Sequence, residues 1–325
     1  MFRKSSRVVS TVVMLLILTL MLSACSSSSE VTYPEKNIEV LVGWGAGGGT
    51  DTFARQIMKQ AEKELGVAIS VINHPGASGS IAGDLVANAE ADGYTLWAIS
   101  SNYPLNVALE KTPHGLDKYI PICRVQADTS TIQTLSEGEY DTVDKLVEAA
   151  KNNPGGISIG GTGALGFDDI VVSMWEKEAG VDFNYVPYED AGQMHAALLG
   201  GHIDAMFEEF GPTIGLIQEG RITVVLAFNE DKLEEFPDVA VSGEKGWEVY
   251  EGQARGILAP AGTPDDVVKK LEEVFKNAIE QEEYKTYEKD SYLHLRDGWL
   301  GSEDFKAYLE NSIEMYKEVV EGIQK

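Results

Sequence analysis

The chain has 325 residues, of which 43% are hydrophobic, 24% charged and 9% aromatic; this is a globular composition that excludes a disordered or collagen-like protein. Its 26 basic residues stand against 52 acidic ones, and the net charge of −26 argues against nucleic-acid binding, which needs a basic surface. Only two cysteines occur, so a disulfide-stapled scaffold is excluded as well.

The first 24 residues have the pattern of a secretory signal peptide, with three basic side chains followed by an apolar run from Val8 to Leu22. The motif Leu22-Ser23-Ala24-Cys25 resembles the bacterial lipobox, in which the cysteine is lipidated and becomes the new N-terminus. We therefore expect a signal peptide over 1–24 and a lipidated tether over 25–32; an ordinary signal peptide with a chance cysteine is the alternative. Removal of the segment takes the net charge from −26 to −29, because its three charges are all basic.

The rest of the chain has no apolar run long enough to cross a bilayer. It alternates strands, loops and helices. The first region is predicted to contain a strand at 38–42, a glycine-rich loop at 44–50, a helix ending at Gly66, a strand at 67–72, a second turn-rich loop at 73–80, a helix of small residues and a strand at 94–99. This alternation predicts an α/β fold with a mainly parallel sheet.

The middle of the chain repeats the alternation of strand, loop and helix. We predict a helix at 143–150, a strand at 157–159, a third glycine-rich loop at 160–163, a helix at 170–178, a strand at 183–186, and further strands at 203–207 and 222–228. Thr263 and Pro264 are typical of a helix start, with the threonine as cap. Two such regions predict a two-lobed clamshell with a ligand cleft, in which lobe 1 comprises 33–126 plus 255–325 and lobe 2 comprises 127–254.

The sequence has no recognisable catalytic or metal-binding pattern. The five histidines form no helical metal pair, and the first glycine-rich loop lacks the lysine of a nucleotide-binding P-loop. Cys123 lies in an apolar context without a neighbouring base, which favours a buried structural thiol, and the pair Glu208-Glu209 is interpreted as a solvated face. We therefore expect no enzyme activity, no cofactor and no metal.

The glycine-rich loops have a composition that suits anion binding, which requires no catalytic group. A loop that enters a helix directs several backbone N–H groups at one point, with the helix dipole behind them, and so binds an anion without lysine or arginine. Neutral donors such as Ser78, Asn102, Thr162 and Tyr188 would add selectivity. The alternative is that the three loops are simply tight turns of an α/β fold.

Several motifs in these loops resemble the substrate-binding proteins of tripartite tricarboxylate transporters, also called the Bug family. The resemblance runs from Tyr33 to near the C-terminus and is most specific in YPEKNIEVLVGWGAGGGTDTFAR, INHPGASGSIAG and ADGYTL. It implies a periplasmic-binding-protein-like clamshell of type II, each lobe a mainly parallel sheet flanked by helices. It also implies an extracytoplasmic receptor that is anchored to the bacterial cell membrane, closes over a carboxylate-bearing solute and delivers it to integral-membrane permease subunits.

The ligand-binding residues implied by the resemblance and by the loops are Trp44, Gly45, Ala46, Gly47, Gly48, Asp51, Gly76, Ala77, Ser78, Gly79, Asn102, Gly161, Thr162, Tyr188 and Asp204. We expect Asp51 to order the first loop rather than to touch an anion, because a direct contact would be repulsive. We expect a monomer. A secreted hydrolase or transferase that uses the same cleft is the main alternative, and His74, in the second loop, is the histidine that the three loops contain. A surface adhesin is a third possibility.

The sequence departs from the family pattern at two places. Gly43-Trp44 stands where the family often has Pro-Phe, and Glu189-Asp190 stands where it usually has a basic residue and glycine. Two acids beside the cleft argue against a strongly polyanionic ligand such as citrate and leave a monocarboxylate, a zwitterion, or an anion bound with a cation. The interpretation favoured from sequence is that both acids face solvent.

Overall fold

The computed structural model describes residues 33–323. The predicted signal peptide, Cys25 and the tether lie outside the described residues, so the lipidation prediction stays a prediction. Within 33–323, no helix combines the length and the apolar character that crossing a membrane requires.

The strands, in chain order, are β1 (Ile38–Val42), β2 (Ile69–Asn73), β3 (Thr95–Ser100), β4 (Tyr119–Ala127), β5 (Ser130–Leu135), β6 (Ser158–Thr162), β7 (Asn184–Tyr188), β8 (Ala205–Glu209), β9 (Ile222–Ala227), β10 (Ala240–Val241) and β11 (Ala254–Pro260). The helices are α1 (Gly49–Leu65), α2 (Ser80–Ala87), α3 (Asn102–Ala108), α4 (Val143–Asn152), α5 (Phe167–Ala179), α6 (Ala191–Leu199), α7 (Phe210–Gln218), α8 (Asp265–Ile279), α9 (Glu282–Asp290) and α10 (Ser302–Ile323).

These strands form two sheets. The first has the order β2-β1-β3-β11-β4, and β11 is antiparallel to both of its neighbours while the other strands share one direction. The second has the order β10-β9-β5-β8-β6-β7, and here β5 is the antiparallel strand. We call the part built on the first sheet lobe 1 and the part built on the second sheet lobe 2. The expected two-lobed α/β fold with mainly parallel sheets is confirmed.

Two segments carry the chain between the sheets. The first is short, because β4 ends at Ala127 and β5 begins at Ser130. The second is the return from β10 to β11, which ends at Ala254. The antiparallel strands β5 and β11 therefore each begin directly after a crossover, and both lie inside their sheets rather than at an edge.

The last helix, α10, packs against both lobes. Phe305 and Leu309 in its first half are buried in the core of lobe 1, together with Leu41 and Trp97. Tyr316 in its second half is buried in the core of lobe 2. The helix thus spans the two hydrophobic cores instead of belonging to lobe 1 alone.

Cys123 lies on β4 and is completely buried as a free thiol. Burial raises the pKa of this thiol well above its ordinary value. The prediction of a structural, unreactive thiol is confirmed, because the thiolate is the reactive form of cysteine.

Candidate functional site

A cavity of about 710 Å³ lies between the two lobes, at the ends of strands from both sheets. This volume suits a small-molecule site. Its lining includes Trp44, Gly45, Ala46, Gly47, Gly48, Gly49, Thr50, Thr52, Ser100, Asn102, Gln126, Asp128, Thr129, Thr162, Asp168, Glu189, Asp190, Ala191, Gly192, His195, Phe207, Glu208, Glu209, Phe210, Gly211, Pro212, Gln253, Arg255, Tyr287, Ser291, Tyr292 and Leu293.

The first glycine-rich loop forms the lobe-1 wall of this cavity: every residue from Trp44 to Thr50 lines it. The helix α1 begins directly after the loop, with Gly48 as an N-cap that has no side chain to occupy the first N–H groups. Gly47 has φ +83°, a conformation that favours glycine. The local sequence therefore points the positive end of a 17-residue helix, and its unpaired amides, toward the cavity.

Asp51 orders this loop from behind. Its carboxylate accepts hydrogen bonds from the backbone N–H of Gly47 (2.8 Å), from Arg55 Nε (2.9 Å) and from Asn73 Nδ2 (2.9 Å). Burial acts to raise the pKa of Asp51, but these hydrogen bonds outweigh it and hold the pKa below the ordinary value. Asp51 is not among the lining residues, and its contacts are those of a residue that shapes the loop.

The second glycine-rich loop supports the first one. A Cβ atom at Gly43 would overlap the Cα atom of Gly79, so the two backbones approach as closely as two glycines allow. The carbonyl of Ser78 accepts a hydrogen bond from Asn106 Nδ2 at 2.9 Å. Gly76, Ala77, Ser78 and Gly79 are not among the lining residues. Their predicted contact with the ligand stays a prediction, and what the structure shows is the close backbone contact of Gly79 with Gly43, directly before the first loop.

The third loop reaches the cavity through Thr162. Both the backbone N–H and the hydroxyl of Thr162 already donate to Asp168 Oδ2, at 2.7 and 2.8 Å. Burial raises the pKa of Asp168 to about 7, against the opposing effect of these two donors. Asn102 approaches from lobe 1 and accepts a hydrogen bond from Phe167 N at 3.3 Å, which links the two lobes at the cavity.

Three other predicted residues lie away from the lining. A Cβ atom at Gly161 would overlap the hydroxyl of Tyr185, and the ring of Tyr188 lies against Gly160. Asp204 accepts hydrogen bonds from the backbone N–H and hydroxyl of Ser158 at 2.8 and 2.7 Å. Ser158 begins β6, whereas Thr162 ends it, so Asp204 lies at the opposite end of the strand from the cavity.

The lobe-2 wall is acidic. Glu189 and Asp190 are exposed, as expected, but they also line the cavity, and Asp190 caps α6 by accepting from Gln193 N at 3.0 Å. Glu208 lines the cavity as a buried side chain, with its Oε2 atom 2.6 Å from His195 Nε2.

The solvated-face interpretation of Glu208-Glu209 is therefore wrong, because both lie at the inner end of β8, where the cavity wall covers them. Burial acts to raise the pKa of Glu208, but the hydrogen bond from His195, the hydrogen bonds from Glu209 and the charge of His195 together outweigh it, and the pKa lies below the ordinary value. Burial, and then the negative charge of Glu208, raise the pKa of Glu209 well above its ordinary value.

Arg255 is the functional residue that sequence reasoning missed. It is 6% exposed, donates from Nη1 to Asp128, and lies with Nη2 3.8 Å from Glu209 Oε1. A Cβ atom at Gly49 would overlap its guanidinium, so it also touches the lobe-1 wall. Burial acts to lower the pKa of Arg255, but the negative charges of Asp128 and Glu209 outweigh burial and raise the pKa above its ordinary value. The guanidinium therefore stays charged. An isolated arginine in the apolar strand Ala254–Pro260 is the signal that would have found it.

Several polar atoms around Arg255 are buried without a hydrogen-bond partner. Those on lining residues are Gln126 Oε1, Thr129 Oγ1 and Arg255 Nε. Buried polar groups are normally satisfied, so these atoms mark places where a ligand or water completes the site.

Residues 33–323 offer neither a metal-binding cluster nor a nucleophile bonded to a histidine near the cavity. No group of three or more His, Cys, Asp or Glu side chains there is placed to hold a metal ion. His195 bonds to Glu208, and none of the described serine, threonine or cysteine side chains is hydrogen-bonded to His195. His74 is not among the residues that line the cavity.

The chain is similar to one family throughout most of its length. Residues 53–322 match the model of the tripartite tricarboxylate transporter family receptor, TctC. Protein BugT of Bordetella pertussis is 29% identical over 255 residues, which cover 77% of this chain and 78% of BugT.

Solved structures agree with these sequence matches. A TctC solute-binding protein from Polaromonas, without ligand, has a TM-score of 0.74 and 25% identity and covers 90% of this chain and 100% of its own. MatC from Rhodopseudomonas palustris, with bound malate, has a TM-score of 0.77 and 24% identity, with coverage of 89% and 100%.

Proposed function

This chain belongs to the tripartite tricarboxylate transporter family of receptors, and we propose that it captures a small carboxylate-bearing solute in the cavity between its lobes and delivers it to the membrane permease of such a transporter. The observation that carries the proposal is the position of the first loop. The loop and the N-terminus of α1 form one wall of the cavity, and the Arg255 guanidinium lies against that wall at Gly49.

The carboxylate would bind to the backbone amides of Gly45, Ala46, Gly49 and Thr50, because the N–H of Gly47 already donates to Asp51 and that of Gly48 to the Gly45 carbonyl. A hydrogen bond to a charged acceptor contributes about 1.5–3 kcal/mol, so three or four of them support micromolar binding after the entropy of association is subtracted. The net charge of −26 repels an anion at long range, but salt screens this field beyond about 8–10 Å. Affinity therefore comes from the short-range dipoles of the loop.

Closure of the lobes over the solute would occur about the crossover at 128–129 and the return segment before β11. A ligand shifts a protein toward the closed state only through its higher affinity for that state. In the closed state the solute would contact the lobe-1 wall and the lobe-2 wall together, whereas in an open cleft it would contact one wall at a time. The solute would therefore bind the closed state more tightly.

The lipobox motif supports attachment through lipid on Cys25, with a short tether, at the extracytoplasmic face of the membrane, and we propose that the receptor acts there as a monomer. Attachment would keep the receptor near its permease. We propose no enzyme activity: the pair His195 and Glu208 has the geometry of a base and its orienting group, but the described chain places no nucleophile against His195.

The test is a thermal-shift screen of the full chain in detergent against mono-, di- and tricarboxylates, repeated with Gly45→Ala. No atom lies within 4 Å of a Cβ at Gly45, so the variant should fold normally while its methyl group intrudes on the ligand at the loop. We expect at least one acid to stabilise the parent and the variant to need about tenfold more of it.

The matched control is Gly215→Ala on α7, which also has open space around its Cβ and is not among the lining residues. It should bind as the parent does. If no acid stabilises the parent, the receptor proposal is wrong; if Gly45→Ala binds with unchanged affinity, the first loop is not the carboxylate site.

A further inference from the structure

We propose that the lobe-2 wall of the cavity holds a second subsite, centred on Glu209, for an ammonium group, so that the preferred solute carries a positive amino group as well as a carboxylate, as an amino acid does. This inference rests on the proposed function, because it assumes that the carboxylate lies at the first loop.

The charges around the cavity are strongly unbalanced. Arg255 and His195 are the lining residues that can carry a positive charge. The lining carboxylates are Asp128, Asp168, Glu189, Asp190, Glu208 and Glu209. A ligand with two or three carboxylates would add to this excess, whereas a ligand with an ammonium group would reduce it.

Most of these carboxylates already have partners. Asp128 is bonded to Arg255, Glu208 to His195 and Asp168 to Thr162. Asp190 accepts hydrogen bonds from Gln193 as the cap of α6. They are therefore engaged within the protein and do not require a ligand.

Glu209 is different. Within the described chain its cationic neighbour within 4 Å is Arg255, at 3.8 Å, and that guanidinium is bonded to Asp128. Its side chain is 13% exposed and its side-chain hydrogen-bond partner is Glu208, another carboxyl group, so the pair needs either a shared proton or a further positive charge. An ammonium group has three N–H donors and no acceptor, which suits such a pair.

An unpaired acceptor atom fits the same chemistry, whereas the unpaired Arg255 Nε is a donor and calls for an oxygen of the solute or of water. Gln126 donates from Nε2 to Asp128 at 2.6 Å, which leaves its Oε1 atom unpaired, and Thr129 Oγ1 is unpaired as well. Both residues are more than nine-tenths buried and line the cavity. An amide oxygen only accepts hydrogen bonds, so Gln126 can serve an N–H donor but not a carboxylate.

The ammonium group of the solute would take the place of the proton that the Glu209 carboxyl group carries in the empty site. The charged and titratable groups that face Glu209 are Glu208 on its own strand, His195 on α6, Asp128 and Arg255 at the crossovers, and Tyr287 on α9. Burial and Glu208 raise the pKa of Glu209, so the empty site favours the neutral acid. Binding of a cation releases that proton, and affinity for an amino-bearing solute should therefore increase as the pH rises.

The test compares acids with and without an amino group on the same skeleton: propionate and alanine, succinate and aspartate, glutarate and glutamate. Calorimetric titration of the full chain should give at least about tenfold tighter binding for the amino member of the pair that fits, which is one more charge-assisted hydrogen-bonded contact. Glu209→Gln should reduce that preference to less than about threefold and leave the plain acid with equal or better affinity. The apo melting temperature of this variant should not fall, because a buried acid is replaced by a neutral group of the same shape.

The matched control is Glu219→Gln, an exposed carboxylate at the end of α7 beside Arg221, which should keep the preference. If plain acids bind as tightly as their amino partners, or if only other acids such as citrate bind, the ammonium subsite is wrong and the receptor function stands. If no organic acid binds, the proposed function fails and this inference fails with it. A third outcome would also overturn the inference. If calcium chloride alone raises the melting temperature of the parent and Glu209→Gln abolishes that rise, the subsite binds a metal ion rather than an ammonium group.

Discussion

The two walls of the cavity present opposite electrostatics to a solute. The lobe-1 wall, residues 44–50, has no charged side chain and presents backbone amides and a helix N-terminus. The lobe-2 wall presents Glu189, Asp190, Glu208 and Glu209. The comparison teaches that a net charge of −26 says little about how an anion is bound, because one wall of the site is kept free of that charge.

The largest effect is expected at Arg255, which touches both walls. Arg255→Leu leaves the buried carboxylate of Asp128 without its partner, and loss of one member of a buried ion pair costs about 3–5 kcal/mol in the free energy of unfolding. Urea unfolding of the variant and the parent measures this loss of unfolding free energy. Arg221→Leu, at an exposed pair with Glu219, should cost less than about 1 kcal/mol.

A double change sharpens the result. Arg255→Leu combined with Asp128→Leu removes both buried charges and should recover much of the loss, because the remaining cost would be one of packing. A loss at Arg255 no larger than that at Arg221 would show that Arg255 does not hold the walls together.

A smaller effect is expected at the support of the neutral wall. In Gly43→Ala the new methyl group meets the backbone of Gly79, which cannot rotate away as a side chain would. We expect a loss of about 1–3 kcal/mol in unfolding free energy, together with weaker ligand binding because the first loop is displaced. Gly215→Ala, with open space around its Cβ, is the matched control; equal behaviour of the two variants would contradict the support role of the second loop.

A further effect depends on pH and concerns Asp168, another carboxylate that lines the cavity. Burial raises the pKa of Asp168 to about 7, whereas an unfolded aspartate titrates near about 3.9. The folded state therefore binds this proton more tightly, and the stability it contributes is fully present below about pH 4 and is lost as the pH rises through about 7.

Asp168→Asn keeps an oxygen acceptor for Thr162 but cannot ionise. The slope of unfolding free energy between pH 4 and 7 should become more positive by up to about 1.4 kcal/mol per pH unit, measured by urea unfolding at several pH values. An unchanged slope would mean that Asp168 is not held neutral in the folded protein.

The elements near the first loop were predictable because their causes are local. A strand, a run of glycines and an amphipathic helix follow one another directly, and the helix ends as expected at Gly66 with φ +70°. The second loop has a similar composition, yet it packs behind the first one, because the contact between Gly43 and Gly79 joins residues that no local pattern relates.

The acidic wall escaped prediction for the same reason. Whether Glu208 and Glu209 face water depends on His195 and Arg255, which come from other elements, and Arg255 and Asp128 are 127 residues apart. A smaller error has a local cause: Thr263 does not cap α8, since its hydroxyl donates to the Pro260 carbonyl and the cap position is Pro264.

The final helix has a consequence for transport. Because α10 is anchored in one core by Phe305 and Leu309 and in the other by Tyr316, any rotation of the lobes must be absorbed within the two turns between them, where Ser312 and Ile313 are also buried. A continuous helix that is anchored in both cores limits how far the two lobes can separate, and therefore how wide the entrance to the cavity can open. The size of solute that enters, and the rate at which it escapes, would then be set by a helix that supplies none of the residues lining the cavity.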